Sequence, residues 1–140
     1  MKRLTILMAM LIATSGWAYD ELDLIKFKSI NQCMGCDLSG ADLRNGDFQN
    51  ADLNNANLQG TNLYKADLAN AKLDQANLKG ANLNEVNLER ASLNRANLED
   101  AQLEQTNFYG AELKDASLKN AYIYLTNFST ANLVRASLRN

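Results

Sequence analysis

The chain has 140 residues, a formal net charge of −2, no proline and no histidine. That length fits one domain, and the mild negative charge offers no basic surface for nucleic acid. Without histidine there is no Ser-His-Asp triad and no imidazole to act as a general base.

The first segment differs from everything after it. Lys2 and Arg3 precede an apolar run from Leu4 to Ala13, followed by Thr14-Ser15-Gly16-Trp17-Ala18. A basic start, a short apolar run and a small-x-small ending are the marks of a secretory signal, so residues 1–18 are expected to be a signal peptide cleaved after Ala18. The run is too short to span a bilayer as a mature helix; an uncleaved anchor is the alternative. Ile30-Asn31-Gln32 before Cys33 lacks the small residue that precedes a lipidated cysteine. Loss of Lys2 and Arg3 reduces the 14 basic residues to 12 against 16 acidic, a mature charge of −4. The expected location is the periplasm or, in a cyanobacterial host, the thylakoid lumen, with no membrane contact after cleavage.

Residues 19–35 read as a cap segment. A short helix is expected over Glu21–Ile30, with Leu22, Leu24, Ile25 and Phe27 against the following domain and Lys26 and Lys28 in solvent. Cys33-Met34-Gly35-Cys36 closes the segment. In an exported protein a CxxC pair is either an oxidised staple or a redox-active centre. The structural disulfide is the expectation here, because Cys36 falls in register with the repeat that follows and a bond to Cys33 pins the cap. A redox-active pair would normally open a helix, whereas this one precedes a coil. Two cysteines without histidine fall short of a zinc ligand set, and neither metal nor cofactor is expected.

From Cys36 to Asn140 run twenty-one pentads, each with a large apolar centre: Leu38, Leu43, Phe48, Leu53, and so on to Leu138. Two positions earlier sits a small residue, usually Ala. A helical step of five turns the side chain by about 140°, which leaves no continuous stripe. A flat strand sends an odd step to the opposite face. Only a chain that turns a corner once per pentad points every centre inward, which is a β-solenoid.

Sorting by twenty gives the number of corners per coil. Gly40, Gly60 and Gly80 recur at that interval, as do Phe108 and Phe128, and Phe48 lies on the same one of four faces. That face also carries Gly46, Val86, Thr106 and Thr126 in the small slot; elsewhere only Cys36 and Thr61 replace Ala.

The segments ADLRN, ADLNN, ANLQG, ADLAN, ANLKG and ANLED resemble the A-(D/N)-L-X-X pattern of pentapeptide-repeat proteins, and the resemblance covers residues 36–140. It implies an all-β fold, a right-handed quadrilateral β-helix with the small and central residues inward. Five coils at the strand spacing of ~4.8 Å make a rod of roughly 25 Å. Some relatives mimic DNA and bind gyrase. That role needs an extended acidic face, and here Lys79, Arg90, Arg95 and Lys119 interrupt the acids.

Asp37, Asp42, Asp47, Asp52 and Asp67 recur with the period, and Asn57, Asn62, Asn77, Asn82 and Asn97 fill the same slot. Asn cannot replace a catalytic acid, so these carboxylates are expected to bond turns. The candidate contact patch is Tyr122, Tyr124, Leu125 and Tyr109, apolar where the outward slots are otherwise polar. A solenoid leaves open edges, and no cap is legible after the last pentad. A monomer and a homodimer paired through the C-terminal coil both remain open. The sequence thus predicts a non-enzymatic exported rod with a structural or protein-interaction role and an unidentified protein partner; the competing reading is a thiol–disulfide protein using Cys33 and Cys36.

Overall fold

A computed structural model describes residues 19–139; the expected signal segment, 1–18, lies outside them. Parallel bridges join residues twenty apart throughout, from Gln32↔Asp52 to Ser117↔Ser137. One turn of the coil is therefore four pentads.

Among the described residues all the pentads but one turn the corner in the same way. The Ala41 N–H donates to the Leu38 carbonyl at 3.1 Å, closing a four-residue turn. The last residue of the pentad takes positive φ, as at Asn45 (56°), Asn50 (59°) and Gly60 (64°). Positive φ at the third turn position is the type II signature. Asn and Gly accept it readily, yet Lys65, Glu85, Arg90 and Arg95 adopt it too. Side chains complete the corner: Asp37 Oδ1 accepts from the Ser39 N–H at 3.0 Å and Asn97 Oδ1 from the Glu99 N–H at 3.0 Å. Aspartate and asparagine do the same work here because only the acceptor oxygen matters to the corner.

Backbone bonds between coils run along the axis. Around Leu53, the Leu53 N–H donates to Lys72 (2.8 Å), Asn55 to Asp74 (2.9 Å), and Lys72 back to Ala51 (2.8 Å). Proline at these donors would break the ladder. On two faces asparagine amides add a second ladder. Asn57, Asn77 and Asn97 each donate to the residue one coil earlier, as do Asn87, Asn107 and Asn127.

The interior is a stack of centres and small residues, with Leu53, Leu73, Leu93 and Ala51 at zero exposure. Rings meet where the centres are Phe: Phe108 stacks on Phe128 at 5.1 Å, and Phe27 of the preceding segment lies tilted against Phe48 at 4.7 Å. Gly46 stands in the alanine slot because a Cβ there would meet the Phe48 ring at 2.1 Å. The inward Thr106 hydroxyl donates to the Leu83 carbonyl at 2.8 Å, so its burial leaves no unmet polar group.

Helix α1 (Glu21–Ile30) covers the start of the rod. Asp20 caps it, its carboxylate accepting from the Leu22 and Asp23 N–H groups, and Asn31 ends it in the left-handed conformation. The packing of α1 corrects the sequence expectation. Leu22 and Ile25 are exposed at 76% and 56%; Phe27 is buried and Leu24 half-buried. Polar anchors set the roll of the helix: Asp23 Oδ2 accepts from the Asp37 N–H at 2.9 Å, and the Asp20 N–H donates to the Asp37 carbonyl at 3.0 Å. With Asp23 facing the coil, Phe27 one turn later faces it too, and Leu22 and Ile25 project away.

Candidate functional site

Two places depart from the regular coil. The first is the cysteine pair. The Sγ atoms of Cys33 and Cys36 lie 2.06 Å apart, and the Cys36 N–H closes the turn onto the Cys33 carbonyl at 3.2 Å. Cys33 has no exposed surface and Cys36 only 4%. Above them sits α1, whose Asp23 carbonyl is 3.4 Å from Cys33 Sγ. Cys33 Sγ thus lies against the first turn of α1, and an attacking thiolate cannot reach a sulfur in this position without moving the helix. Asp23, Cys33 and Cys36 do bring one ligand atom each within 4.8 Å of the others. Sulfurs joined to each other are not thiolate ligands, so the trio offers one carboxylate rather than a metal set.

The second departure is in the last coil. Among the described residues, every small-slot N–H from Cys36 to Ala136 closes its turn onto the preceding centre, except that of Thr126. The open corner is Tyr124-Leu125, where Leu125 takes φ 52°. The Thr126 hydroxyl keeps its bond to the Leu103 carbonyl at 2.6 Å, the counterpart of the Thr106 bond to Leu83, so only the backbone turn is open. Here the surface becomes apolar: Tyr122, Tyr124 and Leu125 are exposed at 57%, 51% and 68%, with the tyrosine rings 6.4 Å apart. Tyr109 is exposed as well but stands on the next face, one coil earlier. The structure therefore brings together three of the four expected patch residues.

Tyr64, three coils below Tyr124, is held apart by polar partners. Its hydroxyl donates to Glu85 at 2.9 Å, and the Lys65 ammonium lies over its ring at 5.1 Å and 3.4 Å from Glu85. Those neighbours, Tyr64 first and Glu85 next, raise the Lys65 ammonium above its ordinary value. Sequence reading missed the open corner, whose one signal was bulky Leu125 in a slot that demands positive φ. It also missed the anchoring aspartates of α1, although Asp20 before a helical run is a legible N-cap.

A family model described as pentapeptide repeats matches the chain in eight copies, over residues 32–70, 61–100, 71–110 and 96–140. The chain belongs to the pentapeptide-repeat family. Its fold is the right-handed quadrilateral β-helix of that family. Among solved structures, this pentapeptide-repeat chain is similar to Rfr23 from the cyanobacterium Cyanothece 51142. The TM-score is 0.80 at 32% identity, covering 83% of this chain and 92% of that one. It is also similar to QnrB1, a plasmid-mediated fluoroquinolone resistance protein. There the TM-score is 0.70 at 27% identity, covering 75% of this chain and 51% of that one. Among curated proteins there is no match.

Proposed function

We propose that this pentapeptide-repeat protein is an exported, non-enzymatic interaction rod. On this reading it works in the periplasm or a thylakoid lumen, with Cys33–Cys36 oxidised as a staple, and binds a protein through its last coil. The observation that carries the reading is the coincidence of the open corner with Tyr122, Tyr124 and Leu125. An exposed aromatic pair beside a leucine in a strained backbone conformation contributes little to folding. Aromatic side chains at an otherwise polar surface suit a protein contact. Burial of both sulfurs weighs against the thiol–disulfide reading.

The patch fits either a second copy or another exported protein. The test is the double substitution Tyr124→Ser with Leu125→Ser. It should shift the sizing-chromatography profile if the occupant is a second copy, or remove a band from a pull-down out of the exported compartment if it is another protein. If neither profile moves, the patch is cladding and the reading is wrong.

A further inference from the structure

We propose that the cysteine pair is a redox latch on helix α1: oxidised it holds the helix over the first coil, and reduced it releases it. The inference rests on the oxidised state proposed above. The step is a two-electron exchange in which an external dithiol is oxidised to its disulfide while Cys33–Cys36 becomes two thiols, the protons passing from one pair to the other.

The coupling follows from where the sulfurs sit. Two unbonded sulfurs need a van der Waals separation on the order of 3.5–4 Å. Cys33 has no exposed surface into which its sulfur could swing, and Cys36 only 4%. On one side the Cys33 N–H is fixed to the Asp52 carbonyl at 2.8 Å, within the ladder of the next coil. On the other side lies the Asp23 carbonyl of α1, 3.4 Å from Cys33 Sγ. Close-packed interiors answer added volume by moving whichever neighbour is held least, and that neighbour is α1.

The helix is held thinly. Its ten residues fall below the length at which an isolated helix is stable in water, about 12–15 residues. Among its side chains only Phe27 is fully buried, against Phe48. Two hydrogen bonds to Asp37, the Phe27 contact, the half-buried Leu24 and Tyr19, and the Asn31 carbonyl bonded to the Asp52 N–H are its ties, fewer than any middle coil has, which puts α1 at the low-stability end of the molecule. Release uncovers the Phe48 ring and the Asp37 edge of the first coil, an apolar and hydrogen-bonding surface absent from the closed form. The linkage is reciprocal: α1 shields both sulfurs, so reduction must wait for the helix to lift.

Hydrogen exchange on the full exported chain tests this. Thiol counting on the purified protein comes first, and two free thiols at that stage would overturn the oxidised state and the latch with it. With the pair oxidised, peptides covering 19–31 should exchange about tenfold slower than after treatment with dithiothreitol, while those covering 53–116 stay the same in both states. Equal protection of 19–31 in the two states would overturn the latch while leaving the oxidised state of the pair untouched. The reverse direction uses Phe27→Ala with the bond intact. Dithiothreitol should reduce this variant about tenfold faster than the parent, and an unchanged rate would show that α1 does not guard the sulfurs.

Discussion

The middle of the rod and its last coil are written in the same pentad, yet they bury it differently. Leu73, Leu83 and Leu93 are wholly enclosed, whereas Ile123 and Leu138, in the same slot, are exposed at 42% and 49%. The residues hardly differ; the neighbours do. A centre in the middle has a coil on each side, and one in the last coil has a described coil on one side only. In a solenoid, burial belongs to the pair of residues twenty apart rather than to either residue. The opposite end makes the same point. Leu38 in the first coil is fully buried, and Phe27 of α1 packs against Phe48 where a preceding coil would have been.

Matched truncations give the largest test of this contrast. Leu73→Ala should destabilise by ~2–5 kcal/mol, since it leaves a cavity between fixed coils. Leu138→Ala should change stability by less than about 1 kcal/mol. Denaturant midpoints at constant slope check both. Similar losses would mean that the last coil is buried in solution by an occupant of the kind proposed, which sharpens the comparison rather than ending it.

Leu125 gives a smaller effect of opposite sign. Its left-handed backbone is unfavourable for a branched side chain, so Leu125→Asn should stabilise by about 1 kcal/mol. On the interaction reading the same substitution weakens partner capture. A variant that gains stability and keeps its partner would separate the strain from the function.

The smallest effect is electrostatic and lies close to the last coil. Arg135 makes two bonds to Asp115, at 2.6 and 2.7 Å, and its guanidinium holds the Asp115 carboxyl below the ordinary aspartate value. A depressed carboxylate stabilises the fold above its unfolded value, and the gain is lost as pH falls through the lower folded value. Asp115→Asn should therefore flatten the acid end of the stability profile while leaving the neutral region little changed. Denaturation midpoints stepped downward from neutral pH would show it; parallel profiles would mean the pair contributes nothing. Asp42 of the first coil, whose carboxyl the Arg44 guanidinium lowers in the same way, is an internal comparison.

Much of this was legible in particular residues. Glycines at 40, 60 and 80 predicted the twenty-residue coil that the bridges display. Exchange of Asp for Asn in one slot predicted carboxylates that bond corners, as Asp37 and Asp67 do. The helix was legible over its full range, but its buried face was not. Leu22 and Ile25 look like core residues by hydropathy, and the choice against them was made by two hydrogen bonds to Asp37, a residue beyond the helix. The patch was legible as composition only; the sequence grouped Tyr109 with it and could not see that the Thr126 turn is open.

The sequence alone determined the corner and its repetition, because an apolar residue every five positions can be buried in only one kind of coil and a corner is closed between one pentad's centre and the first residue of the next, three residues on. Tertiary structure decided whatever depends on a contact between residues far apart in the chain. It set the roll of α1, the enclosure of Cys33 beneath it, and the exposure of the last centres. Those outcomes turn on which surface lies one coil away, and no local pattern carries that information.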